Sequence, residues 1–333
     1  MLLTGGTGFV GRWLLSALIS ANRHLGLGAR VSVLTRDPSG FVAACPDLSG
    51  DESVELLPGD VRTCAWPASP FTHVVHGATP SDAQMNAHRP HEMLEIITRG
   101  TDRVLAFAAS RGVRRVLLLS SGAVYAPPAP EGGFAEDDPV GSLWPAEASP
   151  YHAGKRAAES MALAAAEAGL PLTVARLFAF VGPYLPLDGH FAIGNFIADA
   201  LVGRPVTVDG DGTPVRSYLY AADMAVWICT MLLDERAKGR IYNVGSEHPI
   251  SIAEVARLVA SSVKPCSAVV IAGGRTRPHD RYIPCTARAR QELGLSETIG
   301  LHEAVRRTLA WHAARSDRTS PGSPPADTRI GRK

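Results

Sequence analysis

No two of the five cysteines stand close enough in sequence to clasp a metal ion. Cys45, Cys64, Cys229, Cys266 and Cys285 are scattered and odd in number. Without a C-x-x-C pair there is no zinc site to expect, and without an even framework there is no sign of a disulfide-stapled secreted domain. Reduced thiols in a cytoplasm are the expectation, with no metal. Charge of one sign is equally scarce. Lys and Arg number 33 against 32 Asp and Glu, a net charge of +1, which gives no field to attract nucleic acid or an anionic membrane. No apolar run reaches the roughly 18 residues that a membrane span needs. A signal peptide is not expected either, because a glycine-rich turn begins almost at Met1. With 46% hydrophobic residues over 333 positions, the chain has ample material for a core, in one large domain or two intimate ones.

That turn is Thr4-Gly5-Gly6-Thr7-Gly8-Phe9-Val10-Gly11, between a clipped apolar run, Leu2-Leu3, and the helical stretch from Arg12 to Ile19. The first strand is thus short, or begins upstream. Strand, glycine turn and helix, in that order, suit a dinucleotide pyrophosphate, which needs the free N–H groups and positive dipole end of a helix. The glycines Gly5, Gly8 and Gly11 are spaced G-x-x-G-x-x-G, and allow the backbone close approach. Gly5, Thr7, Gly8, Phe9, Val10 and Gly11 are therefore candidate cofactor ligands.

Further buried strands follow at Arg30–Thr35, Leu56–Val61, Thr72–Thr79, Val113–Leu119 and Leu172–Phe178, alternating with helices such as Glu92–Arg111. This alternation predicts an α/β fold, a Rossmann-type doubly wound parallel sheet whose ligands lie beyond the carboxyl ends of its strands. At the tip of the second strand stand Thr35 and Arg36, with Asp37 next. A hydroxyl and a guanidinium there lean towards NADP over NAD, although Asp37 can still turn to a ribose. Asp60 and Val61 are expected near the adenine, Gly77, Ala78 and Thr79 along the cofactor, and Ser120 and Ser121 at the end of the fifth strand. His76 reads as a packed strand-end residue.

Tyr151 and Lys155 open a helix at i, i+4 spacing and so share one face. A phenol titrates near 10 and is a poor base alone; an ammonium one turn away is expected to lower it. Ser121 is placed to polarise the oxygen that is oxidised or reduced. Beyond Val181-Gly182-Pro183 the composition changes. A helix within Asp188–Gly203, a strand at Val206–Val208, one short strand over Arg216–Tyr220, and amphipathic helices at Ile252–Val263 and Leu301–Ala314 suggest a smaller C-terminal α/β lobe. The expected division is a Rossmann domain over 1–180, with 223–247 returning to it, a substrate lobe over 181–222 and 248–314, and a disordered tail over 315–333.

Together these residues resemble the extended short-chain dehydrogenase/reductase family, in its nucleotide-sugar epimerase/dehydratase group. The likeness rests on the glycine loop, Ser120-Ser121 before Val124-Tyr125, Tyr151 with Lys155, Arg176-Leu177-Phe178 with Gly182-Pro183, Gly210-Asp211-Gly212 with Arg216, Tyr220 and Asp223, Tyr242-Asn243-Val244-Gly245, and Arg277-Pro278 with Asp280-Arg281. The resemblance implies NAD(P) as cofactor, a nucleotide-diphosphate sugar as substrate and a homodimer. It gives Tyr151 as base and acid, Lys155 as its partner and ribose ligand, Ser121 as carbonyl-side donor, and Arg216 and Arg281 as the pair that grips the diphosphate.

Departures from the pattern narrow the reaction. Where 4,6-dehydratases carry an acid after the serine, this chain has Gly122 and Ala123, which argues against loss of water. The family's usual asparagines are replaced by Ile97 and Ala179, and the second loss removes an expected substrate contact and points to an atypical sugar. Ala123 and Ala179 are expected to line the sugar site, and Asn195 to supply a replacement polar contact. The leading expectation is epimerisation at C4 through a transient 4-keto sugar. The alternatives are an NADPH-dependent 4-ketoreductase and, further off, a dehydratase fed by acids from Glu136, Asp137 and Asp138, or an idle cofactor-binding protein.

Overall fold

The computed structural model describes residues 1–80, 83–141, 149–187, 189, 191–274 and 280–319. Its centre is a seven-stranded parallel sheet: β1 (Leu2–Thr4), β2 (Val31–Thr35), β3 (Val54–Pro58), β4 (His73–His76), β5 (Arg115–Ser121) and β6 (Leu172–Leu177), with a late strand at Ile241–Val244. The spatial order runs from that late strand through β6, β5, β4, β1 and β2 to β3. Every residue of β1, β2 and β5 is buried. A sheet covered on both faces requires this, and it explains why these strands read as unbroken apolar runs. The chain order reverses between β1 and β4, the place where an open α/β sheet leaves a crevice for ligands.

Helices cover both faces. α1 (Phe9–Leu25) buries Leu14, Leu15 and Ile19, one stripe at helical spacing, and ends at Gly26 with φ 61°. After the short helices α2 (Pro38–Ala44), α3 (Pro46–Ser49) and α4 (Ala83–His88), α5 (Pro90–Ser110) and α6 (Pro150–Glu167) pack together on the other face. Ile97 explains itself here. A Cβ on Gly154 would sit 2.7 Å from its Cδ1, so the isoleucine fills the groove that a glycine opens on α6. Its full burial contributes about 2–3 kcal/mol and seats the helix that carries Tyr151.

The remaining chain builds a lobe over the carboxyl end of the sheet, with its own core around Ile193, Phe196, Ile197, Val255 and Val259. Its strands are β7 (Phe180–Val181), β8 (Val206–Val208), β9 (Val215–Arg216) and β10 (Leu219–Tyr220); β11 is the late sheet strand Ile241–Val244, and β12 (Ile250–Ser251), β13 (Val269–Ile271) and β14 (Arg281–Tyr282) follow. Its helices are α7 (Ala192–Leu201), α9 (Ile252–Ser261) and α11 (Leu301–Thr319), while α8 (Ala221–Leu233) packs on α1 and α10 (Ala287–Leu293) against β11.

Two expectations need correcting. Arg216–Tyr220 is not one strand. Val215–Arg216 pairs with β12 and β14, whereas Leu219–Tyr220 pairs with β7. The chain steps from one sheet to another at the fully buried Ser217, so no single alternation spans it. The last helix also runs on to Thr319, past the expected break at Arg315; the rest of the anticipated tail lies outside the described residues, as do Arg277, Pro278 and His190.

Candidate active site

A cleft of about 1780 Å³ runs from the glycine loop, across the ends of β1, β4 and β5, to the lobe. At the loop, geometry explains the glycines. Gly5 has φ 78°, and a Cβ there would lie 2.4 Å from the Gly77 carbonyl oxygen; one on Gly11 would lie 2.4 Å from the Gly5 carbonyl oxygen. These two are fixed by the protein's own packing. Gly8 differs. It has ordinary backbone angles, caps α1 with no side chain, and its absent Cβ would meet only the Gly5 oxygen at 3.5 Å. The space it leaves opens on the cleft at a helix N-terminus, which fits a dinucleotide pyrophosphate. Thr7, Phe9 and Val10 line the same end, and the Arg12 Nε donates to the Thr7 carbonyl at 2.8 Å.

Thr4 ties β1 to β4. Its hydroxyl accepts from the Gly77 and Ala78 amides at 3.2 and 3.3 Å and meets His76 Nδ1 at 2.7 Å. Burial holds the His76 imidazole down at about 3, hence neutral, with Thr101 on its other nitrogen. His76 is thus a structural strut behind Gly77 and Ala78. At the ribose end, Thr35 is buried and accepts from the Asp37 amide; Asp37 caps α2 through Gly40. Arg36 and Asp37 are both exposed and both line the cleft. An acid therefore shares the rim with the arginine, and the lean towards NADP finds no support. Asp60 also lines the cleft, with Val61, but its carboxylate is engaged by Arg62 at 2.8 Å and held below the usual range.

At the reacting end, α6 begins with Ser149 as cap and Pro150 in its first turn, which aims Tyr151 and Lys155 into the cleft. The Tyr151 amide is held by Asn86 Oδ1 at 3.0 Å. Lys155 Nζ donates to the Leu119 carbonyl at 2.8 Å and to Thr79 Oγ1 at 3.0 Å. Ser121 Oγ accepts from the Ala123 amide at 3.2 Å and lies 3.4 Å from the Tyr282 hydroxyl. Tyr151, Lys155 and Ser121 thus share one wall. Their electrostatics differ from expectation: burial raises the Tyr151 phenol, offset only in part by a hydrogen bond from Ser121, and pulls Lys155 down to about 8. The ammonium is engaged by Leu119 and Thr79, 5.8 Å from the centre of the phenol ring, so in this structure it does not offset the cost of burying a phenolate.

Ser120 lines the cleft beside Ser121 but donates its hydroxyl to Glu159, which is paired with Arg176. A Cβ on Gly122 would lie 2.6 Å from the Phe178 ring and 2.8 Å from the Tyr282 oxygen. No acid fits at that position, and Ala123 brings only a methyl to the cleft. The loop acids are engaged elsewhere. Buried Glu136 accepts from the Asn243 amide at 2.8 Å, Asp137 pairs with Arg288, and Asp138 accepts from the Ala135 amide. None of the three lines the cleft.

On the far wall, Arg216 and Arg281 stand on neighbouring strands β9 and β14 and both face the cleft. Arg216 pairs with Asp280 at 2.9 Å; Arg281 donates to the Glu131 carbonyl, and its Nε is buried without a partner. Ala179 lines the cleft and Asn195 does not. Asn195 is exposed because α7 buries Ile193, Phe196, Ile197 and Ala200, which turns residue 195 to the opposite side; Phe191, Ala192 and Ile193 line the cleft in its place. Sequence reasoning missed Asn86, His152, Arg156 and Tyr282, all on the cleft wall. The only signal for Arg156 and Tyr282 was adjacency, to Lys155 and Arg281. Among the described residues no cluster of metal-ligating side chains occurs, and no helix is long and apolar enough to cross a membrane.

Comparison with known proteins fits this geometry. A family model described as the NAD dependent epimerase/dehydratase family matches residues 1–245. The UDP-glucuronic acid decarboxylase 1 of Arabidopsis thaliana is 27% identical over 93% of this chain and 69% of its own length. Among solved structures, a UDP-glucose 4-epimerase of Thermotoga maritima superposes with a TM-score of 0.81 at 20% identity, covering 95% of this chain and 99% of that one. A UDP-glucuronic acid 4-epimerase of Bacillus cereus, in complex with UDP-glucuronic acid and NAD, gives 0.77 at 18% identity, covering 93% and 98%. These two share the fold.

Proposed function

Since the chain belongs to the NAD dependent epimerase/dehydratase family, we propose that it inverts C4 of a nucleotide-linked sugar through a transient 4-keto form. It is an enzyme of nucleotide-sugar modification, and NAD is the cofactor we assign. The carrying observation is that Tyr151, Ser121 and Lys155 share one cleft wall while none of the acids considered for elimination lines the cleft and each is engaged elsewhere. Gly5 and Gly8 would cradle the pyrophosphate, Gly11, expected as a ligand, is buried behind them and does not line the cleft, and Thr79 and Lys155 would hold the nicotinamide side. Bound NAD would supply the acceptor for the hydride of the C4–H bond and the donor that returns it to C4. Tyr151 takes the proton of the C4 hydroxyl and returns it to the oxygen. Ser121 donates a hydrogen bond to that oxygen. Arg216 and Arg281 hold the diphosphate through forked guanidinium contacts, which leaves the pyranose free to turn its other face.

Elimination of water requires an acid for the C6 hydroxyl and a base for the C5 proton, each contributing about 10²–10⁴ in rate. Gly122 and Ala123 supply neither. The likeness to a UDP-glucuronic acid decarboxylase favours a second reading. Once C4 is oxidised, a carboxylate on C5 is β to a ketone and can leave as CO₂ without an enzyme acid. The ketoreductase reading leaned on Arg36 and NADPH, and Asp37 on the same rim removes that argument.

Mass spectrometry and proton NMR of products from UDP-glucose and UDP-glucuronate, with NAD and no reductant, test the assignment. A product of unchanged mass with inverted C4 is expected. A product lighter by one water overturns the reading, and one lighter by CO₂ replaces it with the second.

A further inference from the structure

A serine hydroxyl has one proton to give and two acceptor sites. Ser121 can aim its proton at a reacting oxygen only when other donors occupy both of those sites. The Ala123 amide fills one, at 3.2 Å. Tyr151 cannot fill the other, because a phenol about to take a proton has none to give. Among the described residues, the hydroxyl that can is Tyr282, 3.4 Å from Ser121 Oγ.

The fold holds that phenol in place. Tyr282 lies on β14 in the wall of the cleft. Its ring packs on Phe178 with the centroids 4.7 Å apart. Gly122 makes the room: a Cβ there would lie 2.8 Å from the Tyr282 oxygen. Burial raises the phenol above its ordinary value near 10, so it keeps its proton at neutral pH. Two acceptors compete for that proton, Ser121 Oγ and the Leu177 carbonyl oxygen, each at 3.4 Å. Donation to Leu177 leaves Tyr282 only as an acceptor, which draws the serine proton away from the sugar. Donation to Ser121 does the reverse. Both contacts are long, as catalytic hydrogen bonds often are before substrate closes a site. When negative charge builds on the reacting oxygen it attracts the Ser121 proton, the serine oxygen becomes the richer acceptor, and hydrogen bonds in a chain strengthen one another.

On the nucleotide-sugar reading above, we propose that Tyr282 is a positioning residue for the oxidation at C4. It donates to Ser121 Oγ and so turns the Ser121 proton onto the C4 oxygen. The C4 hydroxyl proton passes to Tyr151, and Ser121 and Tyr282 keep theirs. Oxidation at C4 precedes both inversion and loss of CO₂, so a product lighter by CO₂ would replace the epimerase reading and leave this role of Tyr282 standing. The phenol also gives Gly122 a purpose, since any side chain there would displace the hydroxyl.

A double-mutant cycle tests this, with turnover of the NAD-loaded protein measured on UDP-glucose, UDP-glucuronate and dTDP-glucose. Tyr282→Phe keeps the ring on Phe178 and removes only the hydroxyl. It should lower turnover about tenfold, part of the roughly 10²–10³ expected when Ser121→Ala removes the whole donor. KM and the calorimetric affinity for NAD should stay within about twofold, because the hydroxyl acts on the reacting oxygen and on no ground-state contact. In a Ser121→Ala background the same substitution should change turnover by less than about twofold, because Tyr282 acts through Ser121. An equal loss in both backgrounds overturns the assignment, as does near-normal turnover in Tyr282→Phe. A fall in affinity for NAD or sugar in step with turnover shows a merely structural role and overturns it too. Failure of the unaltered protein to convert any of the three sugars defeats the nucleotide-sugar reading, and this inference with it.

Discussion

The two ends of the cleft are built in different ways. The cofactor end is backbone: a glycine loop, strand ends and a helix N-terminus, locked together by contacts such as Gly5 on Gly77 and Thr4 on the Gly77 and Ala78 amides. The sugar end is side chains carried by distant segments, Ser121 on β5, Tyr151 and Arg156 on α6, Arg216 on β9 and Tyr282 on β14. A backbone site tolerates almost no change but needs few specific residues. A side-chain site can be rewritten one residue at a time, so one fold can serve several sugars and several reactions.

The largest effect expected from this contrast is at Gly5. Gly5→Ala forces a Cβ to within 2.4 Å of a backbone oxygen at φ 78°. It should cost more than about 4 kcal/mol of stability, beyond the range of ordinary substitutions. Gly8→Ala, with open space before it, should leave the melting temperature unchanged and weaken NAD binding. Thermal unfolding with and without NAD separates the two. Equal stability losses would show that both glycines serve the fold.

Next in size is the reacting end. Tyr151→Phe should keep the fold and NAD affinity but lower turnover by about 10²–10⁴, the scale of a lost general acid/base. Near-normal turnover in single-turnover measurements would remove Tyr151 from the chemistry.

A third test concerns the cost of holding charge at this end. Lys155 is buried and its ammonium is pulled down from 10.5 to about 8, which corresponds to about 3 kcal/mol. A folded value below the unfolded one means that the unfolded chain holds the proton more tightly between those limits. The cost is therefore fully present below about pH 8, and stability should rise with pH above it. Urea unfolding of the cofactor-free protein should show a gain of about 2 kcal/mol between about pH 7.5 and 9.5 that Lys155→Met lacks. A parallel gain in the variant would assign the rise to other groups.

The contrast between the two ends also accounts for what could be read in the sequence. The sheet was legible because strands buried on both faces are continuous apolar runs, and the glycine loop because its function lies in consecutive residues. Tyr151 and Lys155 were legible because they share one helix. The lobe's two-residue strands at Val215–Arg216 and Leu219–Tyr220 are too short to carry a period and belong to different sheets, so they merged into one. Arg156 was invisible for another reason. A charge on a helix is normally a solvated face, and only the fold shows this one buried. The expected effect of Lys155 on Tyr151 failed because spacing says that two groups share a face, not which other groups engage the charge.

The smallest effect is expected at Asn195, chosen from sequence as a replacement sugar contact. On α7 the core positions Ile193, Ile197 and Ala200 are spaced i, i+4, i+7 and lie in the lobe's interior. Residue 195 is two positions on from Ile193, about 200° round the helix, and so points to solvent. The cleft takes Phe191, Ala192 and Ile193 from the same segment, so the helix faces the cleft through its N-terminal end and apolar side chains. Asn195→Ala should change KM and turnover by less than twofold and stability by less than about 0.5 kcal/mol, as for an exposed substitution away from special features. A tenfold rise in KM with turnover intact would mean that the bound substrate reaches over α7. The sugar end would then extend further along the lobe than the walls of the cleft indicate.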